Sequence, residues 1–274
     1  MASLFSRGTL FFRDRRATAL VEFAWLWPIL VLTMYGAYNL SLAATAARQL
    51  SRLSDDIAQM IVTLPASQSP WCTTATANVS CAALEDYNLL YAHDSAMVEF
   101  PQLLRDSGSN WGTDISISIA GVVFAPTSTS CIGSGSSSCY AAYVNWYAQN
   151  GAGAGTRTCA TVFAATADTS PQSATTLPSD LFDPVPIPSS TTGNPSSTYA
   201  QPLFEIVVDV SYTWRPSGWR STLGWLPSLT ITRTSYLSPR YVSQIVYKGA
   251  GNYGKACPQP ATWPTGVGAP AWPS

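Results

Sequence analysis

The chain has 274 residues, 46% of them apolar and 11% charged, enough for one domain with a core or one domain plus an appendage. Fourteen Lys and Arg against fifteen Asp and Glu give a net charge of −1, which offers no electrostatic footprint for nucleic acid. Abundant aromatic and aliphatic residues exclude general disorder, and the single histidine, His93, excludes a multi-histidine metal site.

Residues 1–17 carry Arg7, Arg13, Arg15 and Arg16 against Asp14 alone and read as a basic leader. From Phe23 to Ala47 there is no charge, a run of 25 residues. About 20 apolar residues in a helix cross a bilayer core, and 23–42 meets that length. The basic flank predicts a cytoplasmic N-terminus with the remainder outside. Tyr35 and Tyr38 suit one membrane interface, and Phe23, Trp25 and Trp27 the other. A buried core helix is rarely so long and uncharged. A cleaved secretory signal has a shorter apolar core. Here the run continues into an amphipathic helix, with Leu50, Leu53, Ile57, Met60, Ile61 and Leu64 at spacings of three and four. Arg52 lies three and four residues before Asp55 and Asp56, a spacing that pairs them weakly. Pro65 is the expected stop. Residues 18–64 are therefore expected to form one transmembrane and stem helix.

Glu22 interrupts the apolar pattern at the mouth of the span. An ionisable group at membrane depth is costly and usually has a partner. Snorkelling into the headgroups is the plainer alternative.

Arg15-Arg16-Ala17-Thr18-Ala19-Leu20-Val21-Glu22-Phe23-Ala24, then Pro28 and an aliphatic run to Gly36, resembles the start of TadE/TadG-type minor pseudopilins. These belong to tight-adherence (Flp, type IV) pilus assembly systems of bacteria. The resemblance implies a prepilin-peptidase cut between Ala17 and Thr18, with Glu22 as the fifth mature residue. That pattern has Gly before the cut, where this chain has Ala17. Many members also carry an acidic residue where Asn39 stands. Leu53–Gln59 is similar to the family's stem segment, Phe204–Pro216 to its late strand, and Thr232–Arg240 to its closing segment. The new amine at Thr18 would meet Glu22 of a neighbouring subunit. Opposite charges attract strongly in low dielectric, whereas either alone is costly there. Pro28 removes one backbone hydrogen bond and loosens the helix.

The resemblance implies a structural assembly component rather than an enzyme, with no cofactor and no nucleic-acid partner. Its implied partners are the membrane, other pilin and pseudopilin subunits, the pilus machinery and the prepilin peptidase. It places the chain in the bacterial inner membrane as a single-pass protein with a periplasmic or extracellular head. The alternative is a permanently anchored envelope protein whose head binds a ligand or scaffolds a complex.

All six cysteines, Cys72, Cys81, Cys131, Cys139, Cys159 and Cys257, lie beyond residue 65. An even number in an oxidising compartment points to disulfides. The sequence does not choose among the connectivities. Short loops favour Cys72–Cys81 and Cys131–Cys139, leaving Cys159–Cys257. A metal site is the competing reading, but no Cys-x-x-Cys occurs.

The head is expected over 65–247. Residues 82–105 read as helical. Ile115, Ile117 and Ile119 alternate with polar residues, the period of a half-buried strand. Strand candidates follow at 140–147, 158–164, 203–214, 229–236 and 241–247. Segments 133–138 and 150–155 read as turns. Residues 165–202, with seven prolines, read as a long loop, and 248–274, with five, as an irregular tail. The expected fold is α+β: a long N-terminal helix, then a mostly antiparallel sheet with helices.

Three ligand or catalytic patterns occur. Asp114-x-Ser116-x-Ser118 matches the bare pattern of metal-binding adhesion domains, which need it on a loop; here it falls within a strand. His93 beside Asp94 brings a hydrolase triad to mind, but no Gly-x-Ser-x-Gly elbow exists and a surface pair is expected. The Gly-Ser stretch 133–138 lacks the Lys of a phosphate loop. No catalytic or metal-binding residue is therefore assigned. Most Trp and Tyr are expected in the core.

Overall fold

The computed structural model describes residues 15–67, 81–101, 112–131, 139–151, 157–159, 162–166, 176–182, 204–215 and 228–259. The chain divides into two compact units, residues 1–46 with 215–227, and residues 47–214 with 228–274.

Helix α1 (Arg15–Val62) is 48 residues long and carries Pro28 without ending there. Its Val21–Val62 stretch is long and apolar enough to cross a membrane. In the first unit its large apolar side chains are exposed, Trp25 to 78% and Leu40 to 72%. Its polar side chains turn inward on the helix itself. Thr33 Oγ1 donates to Leu30 O, Asn39 Nδ2 to Tyr35 O and Thr45 Oγ1 to Ser41 O, each at 2.9 Å. Such bonds satisfy side-chain polar groups on the helix's own carbonyls.

In the second unit the same helix behaves as a core element. Leu50, Leu53, Ile57, Ala58, Ile61 and Val62 are buried at the spacing of one face. Thr63 N still reaches Gln59 O at 3.2 Å, and Pro65 follows. Asp55 and Asp56 do not turn to Arg52 as their spacing suggested. Asp55 accepts from Ser235 Oγ at 2.7 Å, and burial together with the Asp56 carboxylate pushes the pKa of Glu99 up to about 7.

Next come β1 (Cys81–Leu84) and α2 (Asp86–Glu99). The helical reading of 82–105 is thus corrected at its start; α2 ends at Glu99, just before Pro101, and 102–105 lie outside the described residues. Glu85 N donates to Asn88 Oδ1 at 3.0 Å and closes the start of α2. A four-residue apolar run cannot be told from a helical turn by periodicity. It is a strand because β8 (Gln244–Tyr247) lies parallel beside it.

The main sheet contains β2 (Ile115–Pro126), β3 (Tyr140–Gly151), β4 (Val162–Thr166), β5 (Thr176–Pro178), β6 (Phe204–Trp214), β7 (Leu229–Leu237) and β9 (Gly254–Ala256). Its order is β5-β4-β3-β2-β6-β7, with β9 beside β3. All pairings are antiparallel except β4–β5. The protein is therefore α+β, with one long apolar helix and a largely antiparallel sheet.

Several boundaries differ from expectation. The supposed loop 165–202 contains β5 and a 3₁₀ turn at Ser179–Phe182. The supposed tail contributes β9 and the buried Cys257. β3 runs through Asn150 to Gly151 instead of turning at 150, and Gly151 takes a φ of 93°, which glycine adopts readily. The 133–138 segment lies outside the described residues. β2 is buried on both faces, not one, because it is central in the sheet.

On one face Ala120, Val122, Phe124, Ala142, Val144 and Val207 pack with Phe163, Leu177 and Cys257. The other face holds Ile115, Ile117 and Ile119 opposite Tyr212, Val210 and Val208. Ser235, opposite Val208, bonds α1, and Phe100 meets Tyr212 edge-on with centroids 4.8 Å apart. Residues 50–61 of α1 and the end of α2 therefore lie over this second face.

A β-bulge falls where Gly121 pairs with Trp146 but Val122 with Val144. Trp146 Nε1 donates to Ile245 O at 2.7 Å, tying the sheet to the β1–β8 ribbon. A Cβ on Gly121 would lie 2.6 Å from Trp146 Cε2 and 2.7 Å from Phe204 Cζ. Only glycine fits there.

Candidate functional site

Ala17 and Thr18 lie in the first turn of α1, and their side chains fall outside the described residues. Glu22 is exposed, one residue into the apolar band. Spacings of three, four and seven put Trp25, Leu26 and Ile29 on its face of the helix, and all three are exposed. A carboxylate in such a band calls for a cationic partner or a retreat to headgroups.

The cysteines pair as Cys131–Cys139, eight residues apart, and Cys159–Cys257, 98 apart, each with Cα atoms at 5.2 Å. Cys81 is also disulfide-bonded, and no cysteine is free among the described residues. Cys72 lies outside them.

A second polar cluster carries no signal in the sequence. Arg157, 1% exposed, forks onto Asp209, with Nε to Oδ2 at 2.5 Å and Nη2 to Oδ1 at 3.1 Å. Thr234 Oγ1 donates to Asp209 Oδ1 at 2.7 Å. The Arg157 guanidinium also lies 5.2 Å from the Phe163 ring centroid. The partners are 52 residues apart in sequence, so no local spacing reveals them. Ser118 of the Asp-x-Ser-x-Ser pattern faces Asp209 across the β2–β6 ladder. The pattern lies at a strand, as its alternation implied, and the carboxylate beside it is neutralised by arginine.

His93 is not half of a surface pair with Asp94. It faces inward on α2, fully buried, and neither ring nitrogen has a hydrogen-bond partner. Burial pushes its pKa down to about 4, although Asp94 pulls the other way. The imidazole is neutral at pH 7 and leaves an orphaned donor. His93→Leu should stabilise the unit by about 1–3 kcal/mol, since an unpaired buried polar group costs that much. The unfolded chain binds a proton below pH 6.5 and the folded chain only near 4, so wild-type stability falls as pH drops through that window. Urea unfolding should show that this component of the slope vanishes in the variant. An equal or larger loss on acidification in the variant would contradict it.

Glu205 at the start of β6 is also buried, and burial pushes its pKa up to about 7 against a hydrogen bond donated by Ser238. Trp146 and Trp214 are in the core as expected, whereas Tyr87, Tyr91 and Val98 line the exposed side of α2. Among the described residues no group of three or more His, Cys, Asp or Glu is placed to hold a metal ion. Comparison with protein-family models, curated proteins and solved structures finds no match to this chain.

Proposed function

We propose that this protein is a minor pseudopilin-like structural component of a tight-adherence, type IV pilus assembly system. The observation that carries the reading is α1: a helix that opens on Arg15 and Arg16, has Glu22 as its one charge between Arg16 and Arg48, exposes its apolar side chains there and continues as a core helix of a disulfide-bonded α+β unit. In this reading the leader 1–17 stays in the cytoplasm, α1 crosses the inner membrane once, and the disulfide-bonded unit lies outside, where disulfides persist. A prepilin peptidase cuts after Ala17. The Thr18 amine of one subunit then meets Glu22 of its neighbour and sets axial register. The chain works by assembling, not by catalysis, and its partners are membrane, pilin-like subunits and the assembly machinery.

A second reading, a permanently anchored envelope protein whose head binds a ligand or scaffolds a complex, is favoured by one observation. Ala17 stands where the pseudopilin pattern has Gly.

N-terminal sequencing of membrane-extracted protein made with a cognate peptidase separates the two. A start at Thr18 is expected; a Met1 start supports the anchored protein. Glu22→Ala should still insert, because it deletes only a carboxylate costly at membrane depth, yet assembly should fail. Normal pili in that strain would overturn the charge pairing.

A further inference from the structure

Residues 244–257 are laid along the second unit in successive steps. β8 lies parallel to β1, and Lys248 N carries that ladder one residue further, to Leu84 O at 2.7 Å. Asp86, the first residue of α2, then gathers the turn that follows. Its Oδ2 accepts from Ala250 N at 2.8 Å and its Oδ1 from Tyr253 N at 3.4 Å, and the Tyr247 hydroxyl also donates to Oδ1. The Tyr247 hydroxyl in turn accepts from Gly251 N at 3.1 Å. β9 next pairs with Trp146–Ala148 of β3, and Cys257 is bonded to Cys159. The turn passes close against α2. A Cβ on Gly249 would overlap Asp86 Oδ1, and one on Gly254 would lie 2.9 Å from Leu89 Cδ1.

One carboxylate therefore fixes the turn 248–253 and so the point from which β9 starts. Hydrogen bonds to a charged acceptor are roughly twice as strong as neutral ones. The segment beyond the turn is held far less. β9 makes three residue pairs, and Cys257 N adds one bond to Asn145 O at 2.9 Å. Cys159 and Cys257 are 98 residues apart, and bringing the ends of so long a loop together is entropically costly. Once Asp86 holds 250 and 253, only 254–257 remain to be placed. We propose that Asp86 is a latch that positions the 248–257 strap, and with it Cys257, for pairing with Cys159. The latch lies wholly in the second unit and stands apart from the assembly reading. The covalent step is thiol–disulfide exchange with glutathione disulfide as oxidant. One cysteine is first capped as a mixed disulfide with release of one glutathione. The thiolate of the other then attacks the capped cysteine sulfur, and the second glutathione leaves as its thiolate.

Reoxidation of the reduced full chain in detergent micelles by glutathione disulfide, quenched with acid and mapped by mass spectrometry, reads each bridge separately. In Asp86→Ala, Cys159–Cys257 should close about tenfold more slowly, the effect of losing hydrogen bonds to a charged group. Cys131–Cys139 spans eight residues between β2 and β3 and should close at the wild-type rate. Asp86→Asn keeps an acceptor oxygen and should recover part of the loss. An unchanged Cys159–Cys257 rate in Asp86→Ala overturns the latch. So does an equal slowing of both bridges, which marks damage to the whole unit rather than to the strap, or an Asp86→Asn protein slower than Asp86→Ala.

Discussion

Removing the Cys159–Cys257 bridge by a double alanine substitution should cost the second unit about 4–5 kcal/mol. The bridge spans 98 residues, and restricting so long a loop in the unfolded chain is worth about that much. The folded side has little to compensate. β9 holds β3 through three residue pairs, and Cys257 N adds one bond to Asn145 O at 2.9 Å. Without the sulfur link the 254–257 segment should detach before the rest unfolds. The Cys131–Cys139 bridge spans eight residues, and the same relation gives only about 2–3 kcal/mol for its removal. Denaturant unfolding of both variants under non-reducing conditions tests the ranking. A larger loss from Cys131–Cys139 would show that native strain, not loop length, governs these bridges. Mass spectrometry of the wild type, unfolded and non-reduced, should find no alkylatable thiol.

The parts legible in the sequence were those encoded locally. The uncharged run 23–47 and the apolar spacing from Leu50 to Ile61 announced α1, because an unbroken apolar run and a helical period are both written in local sequence. Long strands such as Phe204–Trp214 alternated clearly enough to be placed within a residue. The two pairings seen, Cys131–Cys139 and Cys159–Cys257, are those that short-loop reasoning favoured and left over. Short elements held by remote partners were not legible. Cys81–Leu84 is a strand because of Gln244–Tyr247, and Gly254–Ala256 because of Trp146–Ala148. His93 failed for a related reason. Its neighbour Asp94 is visible in the sequence, but the helix turns the two residues in different directions, one inward and one to solvent. Arg157–Asp209 depends on tertiary contact alone, and no spacing rule reaches across 52 residues.

Asp209→Ala should destabilise the second unit by about 3–5 kcal/mol, the cost of leaving a buried cation without its counter-ion. Arg157 is 1% exposed, so water does not stand in for the lost carboxylate. Phe163 offers it a ring face, worth far less than a bidentate carboxylate. Thr234 Oγ1 also loses its acceptor. The pair itself is a different quantity from the cost of breaking it. Burying two charges consumes most of what their attraction returns, so an apolar replacement of both residues is tolerated better than the loss of one. Arg157→Met with Asp209→Leu should therefore be more stable than Asp209→Ala alone, despite altering two buried residues. Urea midpoints of the three proteins decide the matter. If the double variant is the less stable, the ion pair contributes net stability to this sheet. If Asp209→Ala costs under about 1 kcal/mol, Arg157 has a route to solvent that its burial denies.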